Sequence, residues 1–175
     1  VRGVTSPNAT LRAVRGETTL DIPCGDGFSG TSQTQKELEE FDAEAVFVGH
    51  GITAPEFGWD DYRNTDVRGK VVVLFTNEPP SDDPKFFGGK ALTYYGRWTF
   101  KFEEAARRGA KACLIIHTNE TAGYPYSVVR PLDGAQLKRD PDKPALAFAG
   151  WLSRQAGVKL LGRSRRTGGD SLNAA

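Results

Sequence analysis

The sequence contains no methionine and only two histidines and two cysteines among its 175 residues. A catalytic zinc site needs several His, Cys or carboxylate ligands at short spacing, and neither His50 nor His117 has such neighbours. Cys24 and Cys113 lie far apart, which excludes a dense disulfide scaffold but leaves a single bridge between them open. We therefore expect neither a metal ion nor another cofactor in this chain itself.

Long apolar runs and an excess of charge of one sign are missing as well. The longest apolar runs are as short as Val71–Phe75, whereas a membrane-spanning helix needs about 18 to 20 apolar residues. The 23 Lys and Arg residues nearly balance the 22 Asp and Glu residues. We expect no membrane span and no nucleic-acid partner. The chain starts at Val1 without an initiator methionine or a signal-peptide pattern, as expected for one domain, with or without a tail, cut from a longer protein.

Short β-prone runs are present instead. Residues 45–48 form a compact run that ends on the turn residues Gly49-His50-Gly51. Val71–Phe75 and residues 113–116 are continuous apolar runs, which predicts central strands covered on both faces. Further short strands are predicted at 9–14, Thr18–Ile22 and 145–149.

A helix is predicted between the two central strands. Thr99 is the expected N-cap, Glu103 and Arg107 carry charges that suit the two ends of a helix, and Gly109 ends it. Together with the flanking strands it forms a β-α-β crossover, expected to be right-handed. The stripe of this helix that faces the sheet is predicted to contain Trp98, Phe102, Ala105, Ala106 and Ala110.

A last helix is predicted after Ser153, which can cap it.

Two loops stand out by their length. Residues 76–97 contain three prolines and a Gly-Gly pair, and connections in compact domains have a median of about 4 to 6 residues. Residues 119–133 leave the carboxyl end of a central strand, where open α/β sheets usually build their sites. Both loops are therefore candidates for a functional role.

The histidines offer little support for a self-sufficient hydrolase. The sequence has no G-x-S-x-G nucleophile elbow, and His50 and His117 are isolated from each other. We interpret His50 as a turn residue and His117 as a strand-end residue satisfied by the backbone. Asp60 and Asp61 lack the oxygen spacing of a calcium loop, so a solvated turn is the preferred interpretation.

The remaining candidate is an aromatic and basic patch just before the predicted helix. A helix N-terminus favours anions, and an arginine there can hold a carboxylate by two parallel hydrogen bonds. The patch is therefore interpreted as a peptide or carboxylate recognition site, with the alternative that Trp98 and one tyrosine only seal the helix end. No catalytic residue is assigned. The substrate-binding candidates are Arg97, Tyr95, Trp98, Tyr94, Tyr124 and Tyr126.

Several motifs between residues 44 and 161 occur in the order found in a known family. Together they resemble the protease-associated (PA) domain that is inserted in zinc aminopeptidases, and the later motifs are similar to those of a bacterial subgroup of these peptidases. The motifs are AVFVGHGI at 45–52, WDDY at 59–62, VRGKVVV at 67–73, GKALTYYGRWT at 89–99, EEAARRGA at 103–110 and AGYP at 122–125.

The resemblance implies an α/β fold of the three-layer β/β/α swivelling type, with two sheets and a few short helices. It implies a boundary segment at 1–43, a PA core at 44–162 and a tail or linker at 163–175 toward a peptidase domain. In the family that separate domain binds zinc and carries a His-x-Asp signature, which has no counterpart here. In related carboxypeptidases an arginine near the start of this helix contacts the substrate carboxylate, and Arg97 lies within one position of it.

The implied function is that of a non-catalytic accessory domain in a secreted or periplasmic zinc-dependent aminopeptidase. Its partners would be the peptidase domain of the same parent chain and the peptide substrate. The alternative is a peptide-binding or protein-interaction module that acts outside any protease.

Overall fold

The computed structural model describes residues 2–4, 9–130 and 134–162, which form short strands and helices. The strands are β1 (Arg2–Val4), β2 (Leu11–Arg15), β3 (Thr18–Ile22), β4 (Phe28–Thr31), β5 (Ala45–Phe47), β6 (Thr53–Ala54), β7 (Trp59–Asp60), β8 (Val71–Phe75), β9 (Ala112–His117), β10 (Gly134–Gln136) and β11 (Phe148–Ser153). The helices are α1 (Trp98–Arg107), α2 (Asn119–Ala122) and α3 (Arg154–Gly162), with 3-10 turns at Pro55–Phe57, Tyr94–Gly96 and Tyr126–Val129.

A five-stranded sheet in the order β4-β11-β9-β8-β5 forms the centre of the fold. Strands β5, β8, β9 and β11 run parallel to one another, and β4 pairs antiparallel with β11 at one edge. The pairs β1-β10, β2-β3 and β6-β7 form separate two-stranded sheets. The fold is therefore of the α/β class, as predicted.

The central strands are covered on both faces, which confirms the prediction from their continuous apolar runs. Every residue of β9 is buried. Cys113 and Ile115 pack into the core that faces α1, whereas Leu114 and Ile116 pack into the core on the opposite face with α3. Cys24 packs against this second core, so the sheet separates it from Cys113 and no disulfide joins the two.

Helix α1 connects β8 to β9, and these strands are parallel neighbours as the predicted crossover requires. The helix begins two residues earlier than expected, at Trp98, with Arg97 rather than Thr99 as the N-cap residue. The reason lies in the preceding 3-10 turn, which Thr93 caps and which leads directly into the helix. The hand of the crossover stays a prediction.

Strand β11 begins later in the sequence than predicted. Residues 145–149 were expected to form it, but Leu146 donates its backbone N–H to the side chain of Gln33 instead of to a neighbouring strand. Strand β11 therefore starts at Phe148. The predicted cap of the last helix is confirmed, because the Ser153 hydroxyl accepts a hydrogen bond from the backbone N–H of Ala156.

The proposed tail at 163–175 lies outside the described residues, and the boundary at residue 43 stays a prediction. Strand β4, which precedes that boundary, lies in the main sheet. None of the helices in the described part of the chain is long and apolar enough to cross a membrane.

Candidate functional site

The long loop 76–97 is folded around a cluster of aromatic rings. Phe87 is completely buried although its φ of 50° lies in the left-handed region that bulky residues avoid. Edge-to-face and tilted contacts surround it, with ring centroids 4.4 Å from Phe57 and 5.8 Å from Tyr95. Phe100 of α1 joins the same cluster at 4.9 Å from Tyr95. These contacts fix the loop against the start of α1.

A buried carboxylate ties the two ends of this loop together. Glu78 is only 4% exposed, and its carboxylate accepts hydrogen bonds from the backbone N–H of Thr93 at 2.6 Å and from its hydroxyl at 2.5 Å. Hydrogen bonds to an ionised group are stronger than neutral ones. The segment that carries Tyr95 and Arg97 is thereby held close to the end of β8.

A pocket of about 150 Å³ opens at the carboxyl end of the central parallel strands. Some of its lining residues come after β8 and β9 in the sequence, and others belong to the first turns of α1. This is the location expected for sites in open α/β sheets. The pocket is smaller than the roughly 300 to 1,000 Å³ that buries a drug-sized ligand, so it fits one residue or one terminal group. Its lining residues are Thr76, Asn77, Gly96, Arg97, Trp98, Lys101, Ile115, Ala122, Tyr124 and Trp151.

Two cationic side chains line this pocket. Arg97 is exposed at the helix N-terminus, and within the described chain no carboxylate forms a salt bridge with it. Lys101, one turn further along α1, is completely buried. Burial in surroundings of low polarity disfavours its charged form and lowers the pKa of Lys101 to about 8. The pocket is therefore positive on its α1 side.

Aromatic rings also line the pocket. Trp98 is 50% exposed, and its ring packs edge-on against Phe102 and Trp151 at centroid distances of 5.8 and 6.4 Å. It thus contacts the core beside the helix end and also presents apolar surface to solvent, and its role in recognition stays a prediction. Tyr124 follows α2 and reaches the pocket from the neighbouring loop.

The structure brings Arg97, Trp98 and Tyr124 together but places the other three candidates elsewhere. Tyr94 donates its hydroxyl to Glu103 on α1. Tyr95 belongs to the aromatic cluster, and its hydroxyl donates to Glu56, which raises the pKa of Tyr95.

Tyr126 lies against His117, with ring centroids 5.6 Å apart. The prediction that the backbone satisfies His117 is wrong. His117 is 1% exposed, and neither ring nitrogen has a hydrogen-bond partner within the part of the chain that the structure describes. Its ring packs among Tyr124, Tyr126 and Trp151, and burial lowers the pKa of His117. The sequence could not show this, because the three rings come from different elements.

Lys101 is the pocket residue that sequence reasoning missed. A signal was available, because Lys101 lies three residues after Trp98 and four before Ala105, on the predicted apolar stripe. A charged residue at such a position is buried only with specific partners. His50 was interpreted as a turn residue, and its ring indeed lies at the turn, where Nδ1 is 3.2 Å from the carbonyl oxygen of Thr76.

The described side chains form no cluster that suits a metal ion. Across residues 2–4, 9–130 and 134–162, no group of three or more His, Cys, Asp or Glu side chains is placed to hold one. The carboxylates of Asp60 and Asp61 instead accept hydrogen bonds from backbone N–H groups around the β6-β7 hairpin. No step of chemistry is therefore assigned to a metal bound by this chain.

The comparisons with known proteins give weak structural similarity. No protein-family model and no curated protein matches the sequence. Among solved structures, the chain is similar to an aminopeptidase from Aneurinibacillus sp. strain AM-1, with a TM-score of 0.40 and 18% sequence identity. The similarity covers 94% of this chain and 29% of the aminopeptidase chain. At this TM-score it assigns neither a fold family nor a function.

Proposed function

We propose that this chain is a PA domain, the non-catalytic accessory domain of a secreted or periplasmic zinc-dependent aminopeptidase, and that its pocket binds part of the peptide substrate. In this proposal the zinc ions and the chemical step belong to a separate peptidase domain of the parent protein. The order of the motifs between residues 44 and 161 supports membership of the PA family. The three-layer swivelling arrangement of the sheets and helices is also part of the proposal.

The observation that carries the proposal is the meeting of Arg97, Trp98 and Tyr124 at one pocket. The exposed guanidinium of Arg97, which no carboxylate of the described residues pairs with, can form two parallel hydrogen bonds to a peptide carboxylate. The half-exposed ring of Trp98 and the partly buried ring of Tyr124 beside it offer apolar surface for a neighbouring side chain. Because the pocket holds only one residue or terminal group, the domain would bind an end of the peptide.

Arg97→Ala tests this assignment with a simple peptide. N-acetyl-tetra-alanine has a free carboxylate, and its C-terminal amide is the matched probe without one. Loss of one hydrogen-bonded charge contact is expected to weaken binding of the carboxylate peptide by about 10- to 100-fold in isothermal titration calorimetry. The thermal unfolding midpoint should change little, because an exposed side chain without an ion pair contributes little to stability.

Arg63→Ala is the matched control, because Arg63 is also exposed and lies away from the pocket. Equal weakening by both substitutions, or equal affinity for peptide and amide, would contradict a carboxylate site at Arg97. Peptide hydrolysis by the pure chain in excess zinc, abolished by chelation, would contradict the accessory role. A parent protein whose flanking sequence encodes no peptidase would favour an interaction module instead.

A further inference from the structure

We infer that Lys101 is a positioning residue of this pocket: its ammonium group holds the backbone that forms one pocket wall, and its charge favours an anionic group in the pocket. This inference rests on the proposed function, because it takes the pocket as the site of a peptide carboxylate. It adds a second, buried cation to the lining of the pocket.

The side chain of Lys101 joins two turns that are distant in the sequence. Its Nζ donates hydrogen bonds to the carbonyl oxygens of His50 and Asn77, each at 2.6 Å. His50 lies in the turn after β5, and Asn77 lies just after β8. One ammonium group of α1 therefore fixes the backbone at the carboxyl ends of two neighbouring strands.

The backbone segment that Lys101 contacts is also hydrogen-bonded to α2, which precedes Tyr124. Asn77 has a φ of 60°, and its side-chain amide donates to the carbonyl oxygen of Thr121 in α2. The Thr76 hydroxyl shares a hydrogen bond with the Thr121 hydroxyl. Helix α2 ends at Ala122, two residues before Tyr124, so the hydrogen bonds of Lys101 and Asn77 connect α1 to the loop that carries Tyr124.

The charge of Lys101 has no close counter-ion. Within the described chain no carboxylate lies within salt-bridge distance of its Nζ, although the residue is completely buried. The titratable groups that face it are Asp61, Glu78, Cys113 and His50. Both carboxylates already accept hydrogen bonds from backbone N–H groups. A buried cation of this kind is stabilised by an anion that enters the adjoining pocket.

Anion binding and protonation of Lys101 are therefore linked. The pKa of Lys101 is about 8 without a ligand, and a nearby anion favours the ammonium form and raises that pKa. Above pH 8 the free protein must take up a proton in order to bind the anion with full affinity. The affinity for a carboxylate should fall as the pH rises from 7 to 9.5, whereas the affinity for an uncharged probe should not.

The experiment measures calorimetric affinities of the 175-residue chain for N-acetyl-tetra-alanine and for its C-terminal amide between pH 6.5 and 9.5. Neither probe titrates in this range. We expect the affinity for the carboxylate peptide to fall about tenfold between pH 7 and 9.5. Lys101→Met should bind this peptide more weakly at pH 7 and should lose the pH dependence. Lys159→Met, which changes an exposed helical lysine, should match the wild type.

The outcomes separate the two proposals. Failure of the wild type to bind the carboxylate peptide overturns both. Arg97-dependent binding with the same affinity at pH 7 and pH 9.5 overturns the role of Lys101 alone, and so does a Lys101→Met variant that keeps the wild-type pH profile. If Lys101→Met does not fold, the comparison of the two probes on the wild-type chain decides by itself.

Discussion

At the scale of single residues, Lys101 shows how a position changes the chemistry of a side chain. It lies on the buried face of α1 beside Phe102 and Ala105, in contact with backbone carbonyls rather than with water. An exposed lysine keeps its charge well above neutral pH, whereas burial brings the pKa of Lys101 to about 8. The folded protein therefore holds this proton less tightly than the unfolded chain does.

The difference predicts a dependence of stability on pH. Between pH 8 and 10.5 the unfolded chain keeps the Lys101 proton and the folded protein releases it, so the contribution of Lys101 to stability rises with pH. Relative to Lys101→Met, the wild type should gain about 3 kcal/mol over this range. Urea unfolding of both proteins at pH 7.5, 9 and 10.5 measures this gain. The free-energy difference between the wild type and Lys159→Met should stay constant, and an equally constant difference for Lys101→Met would refute the shifted pKa.

At the scale of elements, two facing glycines allow β4 to join the main sheet. Gly30 and Gly150 are register partners, and a Cβ atom on either one would collide with backbone atoms of the opposite strand. The backbone at Gly30 also has a φ of 158°, which glycine adopts more readily than other residues. The antiparallel edge of the sheet therefore depends on these two residues.

Gly150→Ala should separate β4 from β11. Because the collision is with backbone rather than with a flexible side chain, relief requires movement of the strand, and overpacking of this kind costs about 1 to 3 kcal/mol. Hydrogen exchange followed by mass spectrometry should show faster exchange of the amides of Phe28–Thr31 than in the wild type. Gly162→Ala, where an added Cβ meets open space, is the control. Unchanged protection in β4 would show that the strands tolerate a side chain there.

The element scale also shows what the sequence predicted well. The apolar runs at Val71–Phe75 and 113–116 identified β8 and β9 as central strands, because burial on both faces selects apolar residues at every position. The start of α1 was misplaced by two residues and the start of β11 by three, because local side-chain and backbone contacts decide where an element begins. The aromatic cluster around Phe87 could not be predicted, since its rings come from separate segments.

At the scale of the whole molecule, the main sheet divides the core into two parts, and Cys113 lies completely buried in one of them. Burial raises the pKa of the Cys113 thiol and suppresses the thiolate, the form that reacts. Because β9 lies in the middle of the sheet, only unfolding of the whole domain should expose this thiol.

Thiol labelling of a Cys24→Ser variant tests whether the chain unfolds as one unit. The free energy obtained from the labelling rate of Cys113 in dilute urea should equal the free energy of global unfolding measured by circular dichroism. Labelling that is much faster than global unfolding allows would contradict this expectation, because it would reveal partial opening around β9. The same measurement on Gly150→Ala, in the Cys24→Ser background, should show labelling that is about tenfold faster for each 1.4 kcal/mol of lost stability.

The sequence by itself determined the elements: the buried strands, the helix between them and the long loops, because apolar spacing, capping residues and prolines act on neighbouring residues. It also supplied the six candidate site residues. Only the tertiary structure decided that Arg97, Trp98 and Tyr124 share a pocket and that the buried Lys101 lines it as well. The physical reason is that a pocket is formed by turns far apart in the chain, and the charge and contacts of each side chain depend on which turns meet.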